Sequence, residues 1–313
     1  MSTVARILWS DGKLDVGRGA QPKPMQIWPK KRIRAVAAGA AAIGLMLAAA
    51  AAVISGPVAA LAGPAAMVVL YAWGTRRYRK RRRLLSTPFP EGWRACLQRR
   101  VPFYRRLAPD ARQRFEDDVR IFLAEQRIFA DRGAVLDDET LLLIASSAAV
   151  LAHGLPEWEW PTLRDIVVYP RAFDEKYNQS HDANTAGMVH AQGPILFSQR
   201  ELRLGFSKLD GHNVGLHELA HVMDFEDGYA DGVPGDLEWV ATAPWVKTVA
   251  SRLARQRKRS GALRAYAGKN EAELFAVAVE VFFEKPRELR KRDRELYEML
   301  AQYFKQDPAA ESD

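Results

Sequence analysis

The sequence predicts an α+β fold, mostly helical with a small β-sheet, preceded by an N-terminal transmembrane helical hairpin. Three observations carry this prediction. An uncharged stretch runs from Ala35 to Thr75 between two basic clusters. Beyond it, apolar residues recur mainly at helical spacing, with a few short β-branched runs. One helical run contains His217-Glu218-Leu219-Ala220-His221, an H-E-x-x-H pattern.

Composition sets the bounds. A chain of 313 residues, 48 % hydrophobic and 27 % charged, has room for one or two domains and a sizeable core. Cys96 is the single cysteine, which excludes an intrachain disulfide and a cysteine-rich zinc site. It fits a reducing compartment without requiring one. The net charge of +8 is concentrated in Lys30, Lys31, Arg32 and Arg34, and in Arg76, Arg77, Arg79, Lys80, Arg81, Arg82 and Arg83. Neither an internal repeat nor a Gly-rich phosphate loop is present.

Residues 1–34 read as a disordered basic tail. Residues 35–75 are long enough for two membrane crossings of about 20 residues each. Ser55-Gly56-Pro57 divides them into a hairpin, about Ala35–Ile54 and Val58–Gly74, with Gly63-Pro64 expected to kink or shorten the second half. Basic residues at both outer ends place those ends in the cytoplasm, so the following domain faces the cytoplasm from the inner membrane. Because Ala is weakly hydrophobic, a single span with an interfacial remainder is an alternative. A cleaved signal peptide fits less well, since the run is too long and starts too late. A buried pair of soluble helices would leave the charge runs unexplained. Residues 76–85 form a basic juxtamembrane run, read as a lipid-headgroup contact. Nucleic-acid binding is the weaker reading, because Tyr78 is the run's one aromatic.

Residues 86–308 form the remaining domain, and 309–313 a disordered tail. Phe115, Val119, Phe122, Leu123 and Ile128 predict an amphipathic helix over 110–130. Asp137-Asp138-Glu139-Thr140 starts a second helix, almost wholly apolar from Leu141 to His153 and central. Leu163 to Tyr169, ended by Pro170, reads as a strand, and Gly187–His190 with Ile195–Ser198 as a strand pair. The motif helix covers about His212–Phe225. A loop follows over Gly228–Gly235, then helices over Leu237–Arg257, Asn270–Phe283 and Arg287–Tyr303.

Residues four apart on a helix share a face. His217 and His221 can therefore converge on one ion, and Zn²⁺ takes nitrogen ligands readily. Glu218 can project toward a metal-bound water, where a general base is needed. The alternative is a surface helix with two histidines one turn apart. Against it, Val214, Leu216, Leu219, Ala220, Val222 and Met223 surround the polar trio, and buried polar groups need partners. A catalytic zinc needs a third protein ligand. Glu273 and Glu280 lie seven apart in an apolar helix, so one can ligate while the other fixes a histidine by hydrogen bonding. Spacing does not say which; both could instead lie on an exposed face. Asp224 can reach back within one turn, or is a surface acid at the helix end. His212 precedes the helix, His153 reads as a cap, and His181 and His190 as ordinary polar residues.

Several spaced blocks resemble the MtfA family of zinc peptidases, related to the catalytic domain of anthrax lethal factor. They are Val168-Tyr169-Pro170 with Phe173, the strand region, Asn213-Val214 leading into the motif, Asp224, Gly228, Ala265-Tyr266-Ala267, Asn270, Glu273, Phe275-Ala276, Glu280, Phe282-Phe283 and Gln306-Asp307-Pro308. The resemblance covers about Phe89 to Pro308. It implies a zincin-like metallopeptidase domain with its motif helix beneath the strands. It also implies zinc ligands His217, His221 and Glu273, Glu218 as general base, Tyr266 as hydrogen-bond donor to the developing oxyanion, and Glu280 as a supporting acid. Residues 1–85 depart from the soluble family pattern, which weakens the family's link to a cytosolic repressor of sugar-transport genes. The expected function is a membrane-anchored zinc peptidase acting on a peptide or protein substrate. The alternatives are a membrane-anchored binding protein that sequesters a partner such as a transcriptional regulator, with little turnover, and a structural zinc domain.

Overall fold

Two units, Met25–Phe89 and Pro90–Asp313, divide the chain from residue 25 onward. The computed structural model describes residues 29–131, 133–155, 158–160, 165–172, 187–189, 194–234, 239–257, 263 and 270–310.

The first unit is a helical hairpin. Helix α1 spans Lys30–Ser55, and Gly56 turns the chain at φ 88°. A 3-10 segment, Pro57–Leu61, leads into α2, Ala62–Gly74. Gly63-Pro64 was expected to kink or shorten the second helix, and the α-helical part is indeed shortened to Ala62–Gly74; Pro64 falls in its first turn, where a missing N–H has no intrahelical partner to lose. The two helices meet through small residues: a Cβ on Gly63 would lie 2.4 Å from the Gly44 carbonyl oxygen. Helix α1 and the continuous helical segment Pro57–Gly74, which includes α2, are each long and apolar enough to cross a membrane. Their apolar side chains point outward, with Leu45 66 %, Val53 87 % and Val68 68 % exposed, which removes the reading of a buried soluble pair. Helix α3, Arg76–Leu85, continues past Thr75 and carries the second basic cluster.

The second unit begins with α4 (Glu91–Arg100), α5 (Pro102–Arg106) and α6 (Pro109–Glu125). Helix α6 ends before residue 130, which corrects the expectation. Gln126 is extended, and Arg127–Ala130 form strand β1. Ile128 and Phe129 keep the helical period of α6, but pairing with strand β2, Asp165–Tyr169, decides their conformation. The sheet also holds β3 (Gly187–Val189) and β4 (Ile195–Ser198), in the order β1-β2-β4-β3. Strands β1, β2 and β4 are parallel, and β3 runs antiparallel to β4 with Met188 opposite Leu196.

Helix α7, Asp138–Ala152, forms the centre of the core, as its apolar sequence predicts. Asp137 caps it by accepting the Thr140 N–H at 2.9 Å. Leu142, Leu143 and Ile144 are fully buried. Each contributes roughly 1.5–3 kcal/mol of burial. Helix α8 (Gln199–Ser207), absent from the sequence reading, follows β4 directly and is capped by Ser198. Next come the motif helix α9 (Val214–Asp224), α10 (Trp239–Arg257) and α11 (Glu271–Glu284). Helix α9 packs on α7 and α11 and lies beside β3. Its approach to α7 depends on Gly215, where a Cβ would lie 2.1 Å from Ser147 Oγ. The last expected helix is two, α12 (Pro286–Arg292) and α13 (Arg294–Phe304). The break is at Asp293, which leaves the helical conformation and caps α13 at the Leu296 N–H.

Candidate metal centre

Asn213 starts the motif helix. Its backbone is extended, and its side-chain oxygen accepts the Leu216 N–H at 3.2 Å. His212 therefore lies outside the helix, as expected. Within α9, His217 and His221 sit one turn apart, with ring centroids 4.8 Å apart and planes at 85°. Glu218, between them, is 5 % exposed.

Helix α11 brings the carboxylates. Asn270 caps it by accepting the Glu273 N–H at 2.8 Å, which fixes the turn bearing Glu273. Glu273 Oε2 lies 3.2 Å from His217 Nε2 and 3.8 Å from His221 Nε2. The ligand atoms these three residues offer all lie within 4.8 Å of one another. A tetrahedral ion with bonds near 2.0–2.1 Å separates its ligands by about 3.3 Å. The donor set fits such an ion in chemistry and in spacing.

Glu280 has a different place. Its Oε1 lies 2.6 Å from His217 Nδ1, and its Oε2 accepts the Asn213 N–H at 2.7 Å. A carboxylate can only accept, so Nδ1 donates to Glu280, and Nε2 is the ring nitrogen turned toward Glu273, the one left to meet a metal ion. Spacing left Glu273 and Glu280 interchangeable; the geometry separates them.

Charge favours a cation here. Burial opposes protonation of His217, but hydrogen bonds to Glu273 and Glu280 outweigh it and raise the imidazole. Burial would raise the Glu273 carboxyl, but hydrogen bonds from the two histidines hold it well below the usual range. Burial raises Glu218 above the usual carboxylate range, and the histidines pull the other way. Three acids around two imidazoles make a site that a proton or a metal ion neutralises.

The sequence reading missed Glu284. It is buried one turn beyond Glu280, accepts the Gly211 N–H at 2.8 Å and the Asn213 Nδ2–H at 3.1 Å, and thereby holds the turn into α9. Its signal was an acid at i+4 from Glu280, obscured by the neighbouring Lys285 and Pro286. Both acids lie at the N-terminus of α9, where a helix favours negative charge. Asp224 is fully buried, so it is no surface acid. His153 ends α7 and packs edge-on against Phe103, far from a ligand's role. Tyr266, His181, His190 and Phe173 lie outside the described residues.

Two imidazoles from one helix and a carboxylate from a later one are grouped closely enough to hold a metal ion. The chain belongs to the MtfA family, matching the glucose-regulated metallo-peptidase M90 family over residues 75–305. It is 31 % identical over 264 residues to an uncharacterized protein of Synechocystis sp., covering 77 % of this chain and 94 % of that one. It is 29 % identical over 244 residues to the Mlc titration factor A of Edwardsiella ictaluri, covering 71 % and 88 %. The Pectobacterium atrosepticum protein of the same name is 27 % identical over 238 residues, covering 70 % and 88 %.

Proposed function

We propose that this chain is a membrane-anchored, zinc-dependent peptidase, with zinc held by His217, His221 and Glu273. The observation that carries this reading is the approach of Glu273 Oε2 to both Nε2 atoms while Glu280 occupies the far side of His217. A zinc ion there would supply a Lewis acid that acidifies water and polarises a carbonyl. Glu218 is the general base, taking a proton from the attacking water and passing it to the leaving amine. Its raised affinity for protons suits both transfers. Glu280 and Glu284 hold the start of α9, and so the imidazoles, in place. Tyr266 donates a hydrogen bond to the developing oxyanion, a role that rests on the family resemblance.

The peptidase domain, residues 86–308, faces the cytoplasm from the inner membrane. Support comes from the two apolar helices of residues 35–75 and the basic residues at both outer ends. The run over 76–85 meets lipid headgroups. The test is metal analysis and peptide-library cleavage with the purified full chain beside its Glu218→Gln form. Bound zinc with cleavage only in the parent supports the reading; no zinc uptake overturns it.

The names of the Mlc titration factor A relatives favour a second reading, in which the domain sequesters a transcriptional regulator and turns over little. Tight binding of such a partner that survives Glu218→Gln, with no cleavage by the parent, would select it.

A further inference from the structure

The loop that leaves the motif helix comes to rest on the helix that carries Glu273. Helix α9 ends at Asp224, a 3-10 turn spans Phe225–Asp227, and Gly228 reverses the chain at φ 95°. Four residues on, Gly232 is buried against the first turn of α11. A Cβ there would lie 2.5 Å from the Glu271 carbonyl oxygen and 2.8 Å from its carbon. We propose that Gly232 and Trp245 are positioning residues of the metal centre, which set how far the Glu273 carboxylate stands from the two imidazoles.

The contact falls where a small displacement reaches the site. Glu271 and Glu273 share the first turn of α11. Trp245 links that helix to the loop. Its Nε1–H donates to the Gly232 carbonyl at 2.7 Å, and its ring packs on Phe275 with centroids 5.8 Å apart. Phe275 lies two residues beyond Glu273. Trp245 is 2 % exposed, so water does not compete for its hydrogen bond. Asp231 accepts the Val233 N–H at 3.0 Å and tightens the turn around Gly232. One short segment thus ties the end of the helix bearing both histidines to the turn bearing the carboxylate. Glu273 Oε2 lies 3.2 Å and 3.8 Å from the two Nε2 atoms. A site of this kind tolerates displacements of only about 0.5 Å. Pushing the first turn of α11 away from the loop would exceed that.

The same loop contains a matched control. Gly228 and Gly232 both take left-handed backbone, at φ 95° and 74°, where a side chain is strained. A Cβ on Gly228 meets nothing within 4 Å. Alanine at either position therefore strains the backbone, but only at 232 does it also push on α11. This role rests on the zinc site proposed above, and not on peptide cleavage.

The test uses the full chain in an uncharged detergent, as parent, Gly232→Ala, Gly228→Ala and Trp245→Phe. Zinc affinity is read by competition with a chromogenic chelator, and ligand geometry by the visible absorption of the Co²⁺-loaded protein. Gly232→Ala should bind zinc roughly tenfold more weakly, the low end of what supports outside the ligand shell contribute. Its Co²⁺ spectrum should differ from the parent's, which loss of overall stability alone would not produce in folded molecules. Gly228→Ala should lower the thermal midpoint yet keep the parental zinc affinity and Co²⁺ spectrum. Trp245→Phe keeps a ring against Phe275 and removes the N–H, so zinc affinity should fall about threefold, in line with one hydrogen bond's modest net worth. That variant decides the matter if Gly232→Ala does not fold. Parental zinc affinity in Gly232→Ala or in Trp245→Phe overturns the proposal, as does an equal loss in Gly228→Ala and Gly232→Ala. A parent that takes up no zinc overturns the proposed zinc site itself, and this role with it.

Discussion

Helices α1 and α11 are both strongly apolar, yet they stand in opposite environments. Helix α1 carries no charge after Arg34 and turns Leu45, Val53 and Ile54 outward. Helix α11 buries nearly all its apolar residues, and with them the carboxylates of Glu280 and Glu284. The difference lies in what each helix offers its polar atoms. In α1 the backbone satisfies itself, and apolar side chains face whatever surrounds them. In α11 each buried acid meets a donor on α9 or the turn before it. Apolar composition alone does not assign a helix to a core. The position of its few polar groups does.

The sharpest way to break this comparison is at Glu218. Glu218→Gln keeps the size of the side chain and removes its basicity. Peptide hydrolysis should fall about 10²–10⁴-fold while metal content and thermal midpoint stay near the parent's. Metal analysis and single-turnover cleavage measure this. A variant that cleaves at the parental rate would show that Glu218 is a structural buried acid.

Glu280 tests the same helix one step removed. Glu280→Ala strips His217 Nδ1 and the Asn213 N–H of their shared acceptor. Metal affinity should drop roughly 10–100-fold. Competition with a chromogenic chelator reads the change. Glu273→Ala should lower metal stoichiometry itself. If the two variants exchange these outcomes, the roles of the two acids are reversed.

Much of this site was legible in the sequence, and the rest was hidden for physical reasons. His217 and His221 share a face because helical spacing requires it. Glu273 and Glu280 also share a face, so spacing nominates both and ranks neither; only the family resemblance chose Glu273 as the ligand. Only the way α11 packs against α9 turns one to Nε2 and the other to Nδ1. Glu284 was masked by its position in the last turn beside Lys285, where an acid reads as solvated. Strand β1 was hidden because Ile128 keeps the period of α6, and its partner lies about 40 residues downstream, from Asp165. The division at Asp293 shows no apolar signature, since the capping residue there is itself charged.

On the other side of the comparison, Gly63→Val loads the hairpin alone. Its Cβ would meet the Gly44 carbonyl and Ala48, forcing α1 and α2 apart. Overpacking of this kind typically costs about 1–3 kcal/mol. Steric-trap or denaturant measurements on the reconstituted chain should register that loss, with zinc affinity unchanged. A matching loss of zinc would mean that the two units are energetically coupled.

The smallest effect concerns pH. Burial is the main cause that pushes the Glu284 carboxyl up to about 8, against hydrogen bonds from Asn213 and Gly211 that favour its ionised form. A carboxyl whose folded value lies above its ordinary value near 4.5 binds its proton more tightly in the folded chain. Its contribution to stability is complete below the unfolded value and is lost as pH rises through the folded one. Zinc-saturated protein should therefore lose on the order of 1–3 kcal/mol between pH 6.5 and 8.5 through this group. Glu284→Gln resembles the protonated acid at every pH, so its denaturation midpoint should vary less over the same window. Parallel pH profiles for parent and variant would mean that Glu284 is ionised throughout, stabilised by the α9 N-terminus more than burial opposes it.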